Sequence, residues 1–436
     1  MTESLAIDGG KKTIHAPLPG WPHYTEEAIR RATVPLRENA PNYWTNRKGK
    51  LKGGKVGSHG MEYEEKFAAW EGTRFAVSSA TGTAALHIAL GGFRVGPGDE
   101  VIVPSYTFIA SSMCVLQAGA IPVFADVKPD DHCIDPKAIV KCLTRRTKAI
   151  IPVHLYGCVC DMDEIMAIAR KHKLIVIEDC AEAHGGAYKG RKVGTIGHAG
   201  AFSFCQSKHW TTGGEGGMTV TDDEDAAWIM RSFRDHGYDV AKRMSLLELE
   251  RHLPYIHRRL GWNYRMTEMQ SCLGIYELGR FEKWNKPRRQ RNHRILAGEL
   301  AGYPGIRNVE YENRDKECCF FVFPIILDMK KLTCDLDRFV KALGAEGVPC
   351  GPVFWPQSYK EDVFRENIGQ GEANFPFHSK EYTDPKQAAR YKTLSLPNAV
   401  EYQKNTFITL CHPRLEPKHM KLIARGIKKV LDACAK

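Results

Sequence analysis

Several absences narrow what this 436-residue sequence can be. No uninterrupted apolar run reaches the roughly eighteen residues of a bilayer-crossing helix, so no membrane span and no membrane partner are expected. The opening stretch "MTESLAIDGGKKTIHAPLP" has no basic segment followed by an apolar core. It does not read as a secretory signal, and the cytoplasm is the expected compartment. Low-complexity blocks and internal repeats are missing too. Fourteen cysteines are present, but not in the spacing of a structural zinc site. Cys158 and Cys160 form C-x-C, and Cys318 and Cys319 are adjacent, with no matching second pair. They read as reduced, buried thiols, and no metal is expected. The net charge is +11, with basic clusters such as "NRKGKLKGGK" and "RHLPYIHRRLGWNYR". No helix-turn-helix, zinc-finger or RNA-binding pattern accompanies them, so no nucleic acid is expected. A basic balance also suits a site that attracts phosphate or another anion.

What is present is an alternation of short apolar runs with amphipathic stretches, from about residue 75 to 220. "RFAVSS", "DEVIVPS", "IPVFADV", "TKAIIPVHLYG", "LIVIED", "GAFSF" and "GGMTVTD" read as seven strands. "TGTAALHIALGGF", "TFIASSMCVLQAG" and "DMDEIMAIARKH" read as helices, the last with an acidic first turn and a basic end, as the helix dipole prefers. The strand runs are nearly continuous rather than alternating, which marks strands covered on both faces. The expectation is an α/β fold with a mainly parallel seven-stranded sheet and helices on both sides. "AAWIMRSFRDHG" predicts a helix, and "TEMQSCLGIYELGRFEKWNKPRRQRNHRILAGEL" one long helix or two. Residues 1–289 read as a large domain and 290–436 as a smaller α+β domain, with "NIGQGEANFPFHSKEYTDPKQ" as a loop.

In open sheets of this kind ligands bind at the carboxyl ends of the strands. The residues placed there include Gly82 and Thr83 after "FAVSS", Phe108 after "VIVPS", Asp179 after "LIVIE", and Ser207 and Lys208 after "AFSF". Each has an ordinary explanation: a tight turn, a core aromatic, a helix cap, a snorkelling surface lysine. Each also has a chemical one. Small residues opening a helix offer backbone N–H groups to phosphate. An aromatic at a strand end can stack on a flat ring. A carboxylate can keep a heteroaromatic ring nitrogen protonated. A poorly solvated lysine becomes a nucleophile able to form a Schiff base. Jointly these are the requirements of pyridoxal 5′-phosphate.

The stretch "EDCAEAHGGAYKGRKVGTIGHAGAFSFCQSKHWTTGGEGGMTVTDD" resembles the signature of the DegT/DnrJ/EryC1/StrS aminotransferases, as do "VIVPSYTFIASS", "AIIPVHLYG" and "LGWNYRMTEMQSCLG". The resemblance implies the aspartate-aminotransferase-like fold (fold type I of the pyridoxal phosphate enzymes) and a homodimer with shared sites. It implies ping-pong transfer of an amino group from glutamate or glutamine to a keto-sugar or keto-cyclitol. It makes Lys208 the Schiff-base lysine and the acid–base group, Asp179 the partner of the pyridine nitrogen, and Phe108 the ring-stacking aromatic. Gly82, Thr83 and Ser203 would hold the phosphate, joined by Asn263 from the other subunit. Glu182 stands where the family usually has Gln or His facing the ring's phenolic oxygen. A carboxylate there is repelled by a phenolate unless one is protonated or Glu182 turns away. "PNYWTNRKGKLKGGKVG", with Lys48, Lys50 and Lys52, and "EGVPCGPVFWPQSYKEDVF" are expected to border the acceptor site. The competing readings are an enzyme for nucleotide-linked keto-sugars and a regulatory protein that binds the cofactor without turnover.

Overall fold

The computed structural model describes residues 3–38, 41, 58–240, 256–353, 357–382 and 391–436. Seven strands form the central sheet: β1 (Phe75–Ser79), β2 (Glu100–Pro104), β3 (Ile121–Ala125), β4 (Thr147–Ile150), β5 (Ile175–Asp179), β6 (Ala199–Ser203) and β7 (Gly217–Thr221). Their order is β1-β7-β6-β5-β4-β2-β3. All pairings are parallel except those of β7, which runs against both β1 and β6. β2, β3, β6 and β7 are buried along their whole length, as their continuous apolar runs predicted. The fourth strand is shorter than "TKAIIPVHLYG" suggested and ends at Ile150. Pro152 has no N–H to give a ladder, and only an isolated bridge from Val153 to Asp179 continues the pairing.

The helices that flank the sheet begin at named caps. Thr81 accepts from the Ala84 N–H and opens α1 (Gly82–Gly92). This helix is buried almost all round, so its small residues serve close packing rather than an amphipathic face. Next comes α2 (Ala110–Gln117), then α3 (Met162–His172), with Asp163 and Glu164 at its start and Arg170, Lys171 and His172 at its end. Asp223 caps α4 (Glu224–Arg234). The long segment after Thr267 is α5 (Glu268–Arg280) running through one wide turn (Phe281–Asn285) into α6 (Lys286–Leu300). A second sheet of four strands follows: β8 (Ile306–Asn308), β9 (Phe323–Leu327), β10 (Cys350–Pro352) and β11 (Thr406–Thr409), in the order β8-β9-β11-β10, all antiparallel. The amphipathic closing helix α7 (Pro417–Ala433) packs against α6. The fourteen cysteines are free thiols, and ten of them are buried. No helix among the described residues is long and apolar enough to cross a membrane.

A buried charge pair joins β1 to the helices beside it. Arg234, at the end of α4, donates through Nη1 to the Glu64 carboxylate and, at 3.0 Å, to the Ser78 carbonyl. Glu64 also accepts from the Ser78 N–H at 3.0 Å and the Ser78 hydroxyl at 2.7 Å. Deleting one partner strands the other charge in the interior. Glu64→Ala is expected to destabilise the protein by about 3–5 kcal/mol, read from urea denaturation.

Candidate active site

The carboxyl ends of β1, β2, β5 and β6 open on a cavity of about 750 Å³. Gly82, Thr83, Phe108, Asp179, Glu182, Ser203 and Lys208 all line it. These residues lie up to 126 positions apart and meet because parallel strands present the same end to one edge.

One end of the cavity is made of backbone. The first N–H groups of α1, at Gly82 and Thr83, have no carbonyl in a preceding turn and sit at the positive end of the helix dipole. Gly82 lies so close to β6 that a Cβ there would be 2.6 Å from the Ser203 Cβ. The turn is held from behind, where the Ala80 N–H donates to the Tyr264 carbonyl at 2.8 Å. Phe108 is 48% exposed at the cavity edge, which removes the core-packing explanation for it.

The end of β5 separates two neighbouring carboxylates by the pleat. Glu178 is saturated within the fold. It accepts from the Ile196 and Gly197 N–H groups at 2.7 Å, from Gly194 at 2.9 Å, and from His154 Nε2 at 3.0 Å. His154 Nδ1 accepts from the Cys160 N–H, which leaves the ring proton on Nε2. Cys180 lies near these two, but the carboxylate and the imidazole already have their partners. Asp179, one residue on, faces the cavity. The Ser111 hydroxyl donates to it at 2.8 Å and the Ala181 N–H at 3.1 Å. Burial raises its pKa above the ordinary carboxylate value, against the pull of those two bonds.

Lys208 and Glu182 form the centre of the site. Lys208 Nζ lies 2.8 Å from Glu182 Oε1, and both side chains are largely buried. Glu182 has not turned away: its second oxygen accepts from the Tyr156 N–H at 2.9 Å. Tyr156 presents that N–H from a left-handed conformation, φ 59°, unusual for a bulky residue. Its hydroxyl is 3.0 Å from that of Tyr106. The ammonium also sits over the Phe321 ring, 4.3 Å from its centre. Beyond Lys208, Gly213 and Gly214 both have positive φ. They let the chain turn back so that Gln206 and Phe204 pair with Gly214 and Gly216.

Asn263 is exposed and does not line its own chain's cavity; its backbone bridges to Asp235. Of the first stretch expected beside the acceptor, all but Pro41 lies outside the described residues, including Lys48, Lys50 and Lys52. The second is anchored near the cavity: the Ser358 N–H donates to the Ser105 carbonyl, and the Ser358 hydroxyl donates to the Thr107 carbonyl. Sequence reading passed over Trp21, Ser111, Tyr156, Phe321 and His412. Ser111 stood in a quoted motif, three residues after Phe108, in the first turn of α2. Trp21 had no local signal: its indole N–H donates to the Lys208 carbonyl at 2.9 Å across 187 positions of chain.

The profile of the DegT/DnrJ/EryC1/StrS aminotransferase family matches residues 45–384. The chain belongs to that family. It is 39% identical to L-glutamine:2-deoxy-scyllo-inosose aminotransferase of Streptomyces lividus, covering 99% of this chain and 98% of that one. It is 40% identical to GDP-perosamine synthase of Caulobacter vibrioides, covering 69% and 77% of the two chains. Among solved structures, an aminotransferase from Psychrobacter cryohalolentis superposes with a TM-score of 0.82 at 35% identity, covering 96% of this chain and all of that one. The fold is therefore that of the fold type I aminotransferases, and pyridoxal 5′-phosphate is the family's cofactor. The residues that line the cavity fit it. The glycine that opens α1 lies beside Ser203, and the buried Asp179 carboxylate and the largely buried Lys208 amine line the same cavity.

Two substitutions separate these parts. Glu182→Ala leaves both the buried Tyr156 N–H without an acceptor and the Lys208 amine without its carboxylate, and is expected to cost about 3–5 kcal/mol, whereas Glu182→Gln keeps the N–H bond and is expected to cost less, both read by urea denaturation. For Asp179 the sign follows from its raised pKa. Such a carboxyl favours the fold while protonated and loses that contribution as pH rises through its folded value. Asp179→Asn is therefore expected to raise the melting temperature of the cofactor-free protein near neutral pH. The gain should vanish below about pH 3, where both states are protonated, as calorimetry at the two pH values will show.

Proposed function

We propose that this aminotransferase moves the amino group of glutamine or glutamate onto a keto-cyclitol or keto-sugar not linked to a nucleotide. The observation that carries the chemistry is the largely buried Lys208 amine, 2.8 Å from Glu182 and sharing one cavity with Asp179. The choice of acceptor is supported by the inosose aminotransferase relative, matched over nearly its full length, against the shorter match to the perosamine synthase.

Pyridoxal 5′-phosphate supplies an aldehyde that takes up the amino group and a ring that withdraws electrons from the carbon losing its proton. The chain's own groups do the rest. Gly82, Thr83 and Ser203 hold the phosphate. Phe108 covers the ring, and the Asp179 carboxylate holds a proton at the ring nitrogen. Lys208 would anchor the cofactor, and its amine would be the base that takes the substrate's α-proton and the acid that gives it back. Glu182, within hydrogen-bond distance of Nζ, receives and gives back the lysine's proton. Asn263, exposed on its own chain, reaches the phosphate of a second subunit in a two-fold homodimer. Residues 1–289 form the cofactor-binding part and 290–436 the smaller one, a division supported by the seven-stranded sheet lying within the first and the four-stranded sheet within the second, with a small third sheet pairing Ala187–Tyr188 with Lys316–Glu317 across it. The compartment in this reading is the cytoplasm.

Lys208→Ala is expected to abolish turnover and the borohydride-fixed cofactor label that mass spectrometry should find on Lys208 of the natural protein. A panel of keto-inositols, keto-sugars and nucleotide keto-sugars, with keto-acid formation followed, tests the acceptor. The keto-cyclitols are expected to exceed the nucleotide-linked ketones at least tenfold in kcat/KM, about 1.4 kcal/mol of transition-state discrimination. A preference for the nucleotide-linked compounds restores the competing reading. Cofactor binding without turnover of any pair favours a regulatory protein.

A further inference from the structure

Lys208 sits in a bend between β6 and β7, outside any strand or helix. No repeating ladder fixes its backbone there. Its N–H donates locally, to the Cys205 carbonyl at 3.0 Å, and its other supports come from distant parts of the chain. The Trp21 indole N–H donates to the Lys208 carbonyl at 2.9 Å. The Asn285 side-chain amide donates to the next carbonyl, that of His209. The Phe321 ring lies 4.3 Å from the lysine ammonium.

These three supports meet at one group. Arg289, near the start of α6, is fully buried. Its guanidinium lies over the Trp21 ring, 5.2 Å from the ring centre. Its Nε donates to Asn285 Oδ1 at 2.8 Å. That bond fixes which end of the amide is oxygen, and leaves the NH₂ group for the His209 carbonyl, which can only accept. Asn285 is itself the last residue of the wide turn that joins α5 to α6. Through Nη1, Arg289 donates to the Phe320 and Phe321 carbonyls at 3.1 and 3.2 Å, and so holds the backbone that carries the Phe321 ring. All of these hydrogen-bond partners are uncharged, and Nη2 has none. A buried cation without a carboxylate is costly, and an apolar side chain of similar size would fill the space at less cost. An apolar chain would not supply a rigid fork of donors and a cationic face for an aromatic ring.

We propose that Arg289 is a positioning residue for Lys208: it orients Asn285, Phe321 and Trp21, which together hold the lysine's backbone and frame its ammonium. This rests on the transamination reading above, in which the lysine amine carries the substrate's proton. While Lys208 is joined to the cofactor, that bond places its amine. While it acts as a base, its backbone and Glu182 place it. A loosened backbone therefore lowers turnover rather than substrate binding.

The test compares Arg289→Met, which keeps an unbranched chain and removes the cation with all its donors, and Asn285→Asp. The aspartate keeps an acceptor for Arg289 and gives the guanidinium a carboxylate, but it replaces the donor facing the His209 carbonyl with an acceptor. In the holoenzyme Arg289→Met is expected to lower kcat about ten- to a hundredfold and Asn285→Asp about tenfold, the range for a small misplacement of a reacting group. KM for glutamine and for the accepted ketone should stay within about threefold. Hydrogen exchange supplies a readout apart from turnover. In the full-length cofactor-free protein, residues 204–212 should exchange about tenfold faster in both variants, and residues 318–323 faster in Arg289→Met alone. The melting temperature of Asn285→Asp should not fall, because the new carboxylate pairs with the buried guanidinium. The proposal is overturned if both variants keep kcat within about twofold, or if the loss appears as a raised KM with kcat unchanged. It is equally overturned if residues 204–212 exchange as they do in the natural protein. Should Arg289→Met fail to fold, Asn285→Asp decides by the same two measurements. If the natural protein transaminates no donor and acceptor pair, the parent reading fails, and hydrogen exchange still reports on the support of Lys208 by itself.

Discussion

The ion pair between Lys208 and Glu182 is the constraint around which the rest of the site is arranged. Two opposite charges taken out of water lose more hydration than their attraction returns, unless the remaining lone pairs and protons also find partners. Here they do. The Tyr156 N–H meets the second Glu182 oxygen, and the Phe321 ring lies beneath the ammonium. Tyr156 can do this only from a left-handed backbone conformation, held in place by burial and by the contact of its hydroxyl with that of Tyr106. Strain of that kind persists only where surrounding contacts over-determine it. A glutamine in place of Glu182 could accept the same N–H but could not exchange a proton with the lysine. The carboxylate thus stands within hydrogen-bond distance of the lysine amine, where the proposed mechanism places its acid–base partner.

The same economy of placement governs the end of β5. Glu178 and Asp179 are adjacent, both buried, and have opposite fates because the strand pleat sends them to different faces. Glu178 is consumed by three backbone N–H groups and a histidine, and so holds the loop around 194–197 against the sheet. Asp179 keeps fewer partners and a raised pKa. It is a poor contributor to the stability of the cofactor-free protein, and the proposed function gives it a cationic ring nitrogen as partner. Stability and chemistry are separated by one residue.

How much of this was legible in the sequence follows from where each signal lay. Continuous apolar runs marked the strands, and the rule that ligands gather at their carboxyl ends picked out Gly82, Thr83, Phe108, Asp179 and Lys208, all of which line one cavity. The length of β4 was overread because Pro152 interrupts pairing without interrupting the apolar run. The orientation of Glu182 was undecidable from sequence, since it depends on a backbone N–H supplied by a strained turn 26 residues earlier. Trp21 and His412 were passed over for a different reason. They lie in irregular segments with no period to read, and long-range packing rather than local pattern brings them to Lys208.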